Sequence, residues 1–161
     1  MAETWVVNAS PLIALGAIGQ LALLTAEDHA LIVPAGVAQE IAQGPPDDAA
    51  RLWLAGPGTG FIAPVAPLDL QIAAWDLGLG ESHVLTRCLG QSSVRAVLDD
   101  RAARRCAKAM AIPCLGTLAV IALARKQGRI PAAAPLFDAL DRRGFRVGRE
   151  VRRAVLDQLG E

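Results

Sequence analysis

Four polar positions are spread along the chain, each beside a short apolar run or within a predicted helix. They are Asn8, Glu40, Glu81 and the pair Asp99-Asp100. Asn8 follows the run Trp5-Val6-Val7, and Asp99 follows the run that ends at Leu98, so both come directly after predicted strands. In a parallel α/β sheet the carboxyl ends of the strands share one edge, where groups distant in sequence converge. We therefore expect these side chains to form one site.

Carboxylates held close together repel one another, so such a cluster is stable only with a cation or with shared protons. The cluster of Asn8, Glu40, Glu81 and the Asp99-Asp100 pair therefore predicts a metal site. A set of oxygen ligands without His or Cys favours Mg²⁺ or Mn²⁺. Such an ion can generate hydroxide from bound water and offset the charge on a phosphodiester.

Each of these residues also has an ordinary structural explanation. Asp100 can cap the helix that follows it, and Glu81 can be a first-turn acid favoured by the helix dipole. Glu40 can be a solvated residue on a helix surface, and Asn8 can be a turn or cap residue. Only the expected placement of all these residues at one edge of the sheet favours a functional site over the structural explanations. The two histidines, His29 and His83, are not in a Ser–His–Asp arrangement, although His83 lies close to Glu81 in sequence.

Short strands that alternate with helical patterns predict an α/β fold with a parallel sheet, helices on both faces and right-handed crossovers. The predicted strands cover residues 5–7, 30–33, 61–63, 93–98 and 112–115. Helices are predicted over 10–24 (with a hinge at Gly16 to Gly19), 34–41, 47–54, 68–75, 81–89, 101–110, 117–127, 131–140 and 150–159. We expect Ser10 to cap the first helix, with Pro11 in its first position. The Gly-rich stretch 56–60 precedes a strand, so it predicts a turn and not a nucleotide-binding loop.

The composition predicts a single cytoplasmic domain over residues 1–161. The chain has 161 residues, of which 53% are hydrophobic, so disorder is not expected. The apolar stretch from Pro11 to Leu24 is too short and too interrupted to span a membrane, and the basic start of a signal peptide is missing. Three cysteines without a CxxC spacing indicate neither disulfides nor zinc. No tyrosines and few aromatics give no support for a base-stacking platform.

The charge is unevenly distributed although the net charge is zero. Residues 1–94 contain two basic and nine acidic residues, whereas residues 95–161 contain fourteen basic and seven acidic residues. An acidic site beside a basic surface suits a metal-dependent enzyme that acts on a phosphate-bearing polymer. A solvated basic face, or attraction between the two halves, explains the same distribution.

Several short motifs, taken in order, resemble those of the PIN domain family. More closely, they resemble its subfamily of predicted nucleic-acid-binding proteins of toxin–antitoxin type. The motifs are Val7-Asn8-Ala9-Ser10-Pro11-Leu12-Ile13-Ala14-Leu15, Val33-Pro34-Ala35-Gly36-Val37-Ala38-Gln39-Glu40-Ile41, Leu79-Gly80-Glu81-Ser82, Leu98-Asp99-Asp100-Arg101-Ala102-Ala103-Arg104 and Gly116-Thr117-Leu118-Ala119-Val120. Each motif alone is weak, but their order and spacing cover nearly the whole chain.

The resemblance implies a three-layer α/β/α sandwich with a short central parallel sheet, whose acidic residues bind Mg²⁺ or Mn²⁺ and cleave RNA. By position, the four acids of the family fall on Asn8, Glu40, Glu81 and Asp100, with Asp99 adjacent. The expected substrate-positioning residues are Ser10, Thr117, Arg101, Arg104 and Arg105, with Lys108 on the same basic helix face. The resemblance also implies a single-stranded or structured RNA substrate, an antitoxin protein partner, a homodimer and no membrane association.

The departure from the family pattern is Asn8, which stands where the family has an acid. Its amide oxygen can coordinate a metal, but the substitution removes one negative charge and a possible base. A second hypothesis is therefore a catalytically weak PIN-like protein that binds nucleic acid or a partner without cutting. A third is an unrelated doubly wound module, such as a receiver domain with Asp99-Asp100 as its acidic pair. In a receiver domain that pair should follow the first strand.

Overall fold

The structure is a computed structural model that describes residues 2–161. Its five strands are β1 (Glu3–Val7), β2 (His29–Pro34), β3 (Ile62–Ala63), β4 (Val94–Val97) and β5 (Cys114–Leu115). The α-helices of the described residues are α1 (Ala9–Ala17), α2 (Ala35–Ala42), α3 (Ala49–Leu54), α4 (Leu70–Ala73), α5 (Leu79–Cys88), α6 (Arg101–Ala109), α7 (Thr117–Lys126), α8 (Ala134–Arg142) and α9 (Arg149–Leu159). All strand pairs are parallel, and helices flank the sheet. The predicted three-layer α/β/α architecture is confirmed.

The strand order is β3-β2-β1-β4-β5, so the chain builds outward from β1 in both directions. The order reverses between β1 and β4, and ligands of open α/β sheets bind in the crevice at such a point. Val7 pairs with Val97, and the N–H of Asn8 donates to the carbonyl of Val97 at 2.9 Å. Asn8 is therefore level with Leu98, and Asp99 follows one residue later. The topology places both at the crevice.

The central strand β1 is anchored in the core, which fixes the position of Asn8. Trp5, Val6 and Val7 are all buried, as expected for a parallel strand covered by helices on both faces. The indole of Trp5 stacks on the ring of His29, with the ring centroids 3.6 Å apart. A residue that follows directly from such a strand has little positional freedom.

The prediction that Ser10 caps the first helix is wrong. The helix α1 begins at Ala9, and its N-cap is Asn8, whose side chain makes no capping hydrogen bond. Pro11 is in the third helical position, where its missing N–H still costs nothing because the first four N–H groups of a helix have no intrahelical acceptor. The side chain of Asn8 is consequently available to the site.

The prediction of one hinged helix over residues 10–24 is also wrong. The helix α1 ends at Ala17, and Gly19 adopts a left-handed backbone with φ of +70°. A short 3₁₀ turn over Leu21–Leu24 follows. The turn at residues 56–60 is confirmed, and Asp48 caps α3 by accepting the N–H of Arg51 at 3.0 Å. None of the helices in residues 2–161 combines the length and apolar character that crossing a bilayer requires.

Candidate active site

Two helices bring Glu40 and Glu81 to the carboxyl end of β1. Glu40 lies near the end of α2 and Glu81 in the first turn of α5, and these helices pack against each other. Between them is a pocket of about 250 Å³, which both acids help to line. The predicted approach of these two acids is therefore present in the structure.

Asn8 joins this pair from the end of β1. Its side chain is 2% exposed, and its Nδ2 donates to Oε1 of Glu81 at 3.1 Å. Because an ionised carboxylate only accepts hydrogen bonds, the amide nitrogen must face Glu81 and the amide oxygen must face away. That oxygen, Oδ1, is buried and has no hydrogen-bond partner among the described residues. A buried acceptor without a partner is costly unless a ligand or water satisfies it.

Gly80, which has no side chain, leaves open a space that is faced by one oxygen of Glu40 and by Oδ1 of Asn8. A Cβ atom at this position would lie 2.8 Å from Oε2 of Glu40 and 3.0 Å from Oδ1 of Asn8. Both oxygens are therefore directed at the same small volume beside the backbone of α5. Any larger residue would occupy it, which is a physical reason for the glycine that precedes Glu81.

The environment raises the pKa of the Glu40 carboxyl above its ordinary value. Burial against α5 is the larger cause, and the negative charge of Glu81 is the second. Both causes disfavour the ionised form. A cation between the two carboxylates would remove the second cause and lower the pKa again.

We expect Glu40→Gln to stabilise the metal-free protein near neutral pH. The folded-state pKa of Glu40 lies above its unfolded value near 4.5, so the folded chain binds more protons within that window and its stability falls as pH rises through it. The variant should lose this penalty, gaining less than about 1 kcal/mol because the side chain is largely solvated. Urea unfolding in EDTA checks this.

Wild type and Glu40→Gln should be compared at two pH values, one near neutral and one below the ordinary carboxyl pKa, together with a matched control. Below the ordinary carboxyl pKa, the wild type and Glu40→Gln should be equally stable, because the wild-type carboxyl is then protonated in both states. Glu27→Gln, at an exposed carboxylate before β2, should show no comparable gain. An equal gain for Glu40→Gln at both pH values would contradict the electrostatic explanation.

Asp99 belongs to a second, larger cleft beside the pocket. Its Oδ1 accepts the N–H of Thr117 at 2.8 Å, and its Oδ2 accepts the hydroxyl of Thr117 at 2.6 Å. These bonds hold the end of β4 against the start of α7. Ser10, Asp99, Arg101 and Thr117 line one side of this cleft, which has a volume of about 430 Å³. Four of the residues predicted for the site therefore lie together here.

Asp100 has a different place in the structure. It is the N-cap of α6, and its Oδ2 accepts the N–H of Ala103 at 2.9 Å. It lines neither the 250 Å³ pocket nor the 430 Å³ cleft. The role of Asp100 as a metal ligand stays a prediction. Asp99, one residue earlier, is the acid of this pair that the structure places in the cleft.

The basic side chains of α6 do not form one continuous surface. Arg101 borders the cleft, whereas Nη1 of Arg104 donates to the carbonyl of Leu98 at 3.3 Å and supports the end of β4. Arg105 and Lys108 line a separate depression beside Cys114 at the edge of the sheet. Of the predicted substrate-positioning arginines, Arg101 lines the cleft. Arg104 also approaches Asp99, because a Cβ at Gly116 would lie 2.8 Å from Nη1 of Arg104 and 3.0 Å from Oδ1 of Asp99.

The oxygen ligands that the structure brings together fit a small divalent cation. Within residues 2–161, no three His, Cys, Asp or Glu side chains are grouped closely enough to hold a metal. Glu40 and Glu81 nevertheless supply two carboxylates, and the unpaired Oδ1 of Asn8 supplies a third oxygen. Mg²⁺ retains several water ligands and is commonly held by only one or two carboxylates. The donor set and the space beside Gly80 match that requirement.

Two features of the site were not predicted from the sequence. Gly80 is part of the motif Leu79-Gly80-Glu81-Ser82, but its role as the open side of the pocket depends on how α5 packs against the helix that carries Glu40. Arg146 lines the 430 Å³ cleft from the connection between α8 and α9, opposite Ser10 and Thr117. The sequence signal for Arg146 is only the general excess of arginine after residue 140.

His83 lies next to the pocket but does not enter it through a hydrogen bond. Its ring packs on Gly36, where a Cβ would lie 2.4 Å from Nδ1. That Nδ1 is buried and has no partner among residues 2–161. The close contact joins α5 to the start of α2, so His83 helps to set the spacing of the helices that carry Glu40 and Glu81.

Comparison with known families agrees with the fold. The sequence profile of a family described as a PIN domain matches residues 4–161, which is nearly the entire chain. No curated protein matches the sequence significantly.

Proposed function

Because this chain belongs to the PIN domain family, a family of nuclease-type folds, we propose that it is a metal-dependent endoribonuclease. Its substrate would be RNA, and the reaction would be hydrolysis of a phosphodiester at the pocket of Asn8, Glu40 and Glu81. One observation carries the proposal. The buried Oδ1 of Asn8 has no protein partner and faces the same space as a carboxylate oxygen of Glu40.

The pocket residues would hold Mg²⁺ or Mn²⁺. Glu40 and Glu81 would provide negative charge, and Asn8 would provide a neutral oxygen. When bound, the ion supplies a Lewis acid that lowers the pKa of a coordinated water and offsets charge on the phosphoryl group. Asn8 also orients Glu81 through its Nδ2 hydrogen bond, so one side chain would serve both as ligand and as positioning residue.

The neighbouring cleft would orient the RNA strand. Arg101 would contact a phosphate, because it borders the cleft and forms no ion pair among the described residues. Asp99 would fix the position of Thr117 and remain available as a further acid in this cleft. The hydroxyl of Ser10 is exposed on the same side and would donate to substrate or water.

The test is cleavage of a labelled single-stranded RNA with Mn²⁺, with Mg²⁺ and with EDTA. We expect cleavage with either ion and none in EDTA. Cleavage that continues in EDTA would contradict the metal-dependent mechanism. Asp100→Asn should be assayed in parallel. If the variant retains cleavage activity, Asp100 acts only as a helix cap; if cleavage is lost, Asp100 acts as a metal ligand.

A second candidate function is binding of nucleic acid or a partner without cleavage. It is favoured by the neutral Asn8 and by the observation that no three acidic, His or Cys residues in the described part of the chain are grouped for a metal. In the cleavage assay this candidate predicts RNA binding, measured by anisotropy, with no product in Mn²⁺ or Mg²⁺. The two functions are thus separated in one experiment.

We also propose that the protein is the toxin of a toxin–antitoxin pair and that it forms a homodimer. Support for a protein-binding surface comes from the exposed apolar side chains of Leu70, Trp75 and Leu79, of which Leu79 lines the acidic pocket. A partner seated there would cover the entrance to Glu40 and Glu81. Light scattering of the purified protein measures the oligomeric state.

A further inference from the structure

The 430 Å³ cleft has a second wall that the active-site residues do not explain. It is formed by the connection between α8 and α9 and by the start of α9. Its apolar side chains are Phe145, Val147 and Val151, and Arg146 lies among them; Leu118 of α7 adds to the apolar lining of the cleft. Opposite this wall are the polar residues at the ends of β1 and β4. The cleft therefore joins an apolar surface to a polar edge that leads to the acidic pocket.

The second wall is held in place by specific hydrogen bonds. The N–H of Phe145 donates to the carbonyl of Leu140 at 3.0 Å, after a turn in which Gly144 has a φ of +84°. The N–H of Val147 donates to Oδ1 of Asp141 at 2.9 Å, and Asp141 also contacts Arg152. These contacts link the connection to both helices, so the wall is formed before any ligand arrives.

The charge around the cleft is positive. Arg101 and Arg146 are exposed at its rim, and neither forms an ion pair in the part of the chain that the structure describes. The carboxylate of Asp99 already accepts two hydrogen bonds from Thr117. The other arginines of this segment that are exposed and without an ion pair among residues 2–161 are Arg142, Arg143, Arg149 and Arg153. A phosphate at the rim would therefore be attracted.

We propose that this cleft is a nucleotide subsite that holds one unstacked base of a single-stranded RNA, with an adjacent phosphate on Arg101 and Arg146. The inference rests on the proposed nuclease function, which it deepens by assigning a binding position to one base of the RNA. Proteins bind unstacked RNA bases on apolar and aromatic side chains and on arginine planes. The volume lies in the range of pockets that bind small organic groups. The strand would then pass from the cleft over Asp99 to Asn8 and Glu81.

The test measures RNA binding without cleavage, in EDTA, by fluorescence anisotropy. A labelled oligonucleotide of about 12 nucleotides carries a single abasic site that is moved along the sequence. We expect one register to weaken binding about 5- to 150-fold, because stacking of one base contributes about 1–3 kcal/mol. Filling the cleft with Val151→Trp should weaken binding and abolish this dependence on register. Val151 is 54% exposed, so the larger side chain should not disturb the core.

A comparison between two arginines, one inside and one outside the cleft, provides the matched control. Arg146→Ala, which removes a cleft residue, should weaken binding more than Arg153→Ala, which removes an exposed arginine on α9 that does not line the cleft. Arg146→Glu and Arg153→Glu repeat the comparison with charge reversal, and thermal melting verifies that each variant is folded. Equal effects of the two arginines, a flat abasic scan, or no RNA binding would overturn the subsite.

The outcomes also separate this inference from the proposed function. A register-dependent abasic effect without cleavage in Mn²⁺ or Mg²⁺ would refute the nuclease and retain the subsite. Metal-dependent cleavage with a flat abasic scan would retain the nuclease and refute the subsite.

Discussion

Replacing Glu81 with glutamine is expected to lower Mn²⁺-dependent RNA cleavage by about 100-fold or more. The substitution removes one of the two carboxylates that the pocket offers to the ion. It should not unfold the protein, because the amide oxygen of glutamine can still accept the hydrogen bond from Nδ2 of Asn8. Loss of the repulsion between Glu40 and Glu81 should offset the weaker interaction of the first turn of α5 with the helix dipole. Initial rates of cleavage measure the effect.

Three further measurements make this result specific. Thermal melting in EDTA should show that Glu81→Gln is folded, and isothermal titration should show weaker Mn²⁺ binding. Glu27→Gln, at an exposed site before the start of β2 and therefore at the opposite end of the strands from the pocket, should cleave at the wild-type rate. If Glu81→Gln retained both Mn²⁺ affinity and cleavage, the pocket of Asn8, Glu40 and Glu81 would not be the active centre.

Replacing Asn8 with aspartate is expected to have opposite effects on the metal-free and the metal-loaded protein. In EDTA, the variant should lose about 1–3 kcal/mol of stability, because it removes the donor to Glu81 and places a third carboxylate in a buried position. The midpoint of thermal unfolding should fall by about 2–4 °C for each kcal/mol lost. The added charge should instead strengthen Mn²⁺ binding, so the ion should raise the melting temperature more in the variant than in the wild type.

The same variant tests whether Asn8 limits catalysis. With saturating Mn²⁺, we expect Asn8→Asp to cleave RNA at least as fast as the wild type. Gln91→Glu is a matched change from amide to acid at an exposed position, and it should alter neither metal affinity nor cleavage. A variant that is stabilised in EDTA, or that binds Mn²⁺ more weakly, would show that the amide oxygen of Asn8 does not face a metal.

The two helices that carry the acids show how far the sequence could predict the site. Glu40 and Glu81 each occur in a motif whose helix was predicted to within two residues at each end, and the parallel topology implied that they would meet. Asp99 and Asp100 could not be separated in this way, because adjacent residues at a strand end have the same sequence pattern. Their roles depend on the backbone angle at the start of α6, which directs Asp100 to its own helix and Asp99 to Thr117.

The start of α1 shows the same limit. Ser10-Pro11 is a good sequence signal for a helix start, yet the helix begins one residue before it, at Ala9. Local capping preferences are worth about 1 kcal/mol. The burial of Ala9 in the core and the direct connection from β1 determine where the helix starts instead. Because Asn8 became the N-cap without using its side chain, its amide was left for the pocket.

By itself, the sequence determined the α/β class, the parallel sheet and the residues that surround the end of β1. These follow from local periodicity and from motif order, which depend only on neighbouring residues. Only the tertiary structure decided that Oδ1 of Asn8 is unpaired, that Gly80 leaves space between this oxygen and Glu40, and that Arg146 lines the same cleft as Asp99 and Thr117. Those relations join segments far apart in the chain, and packing of the helices fixes them to within a few tenths of an ångström.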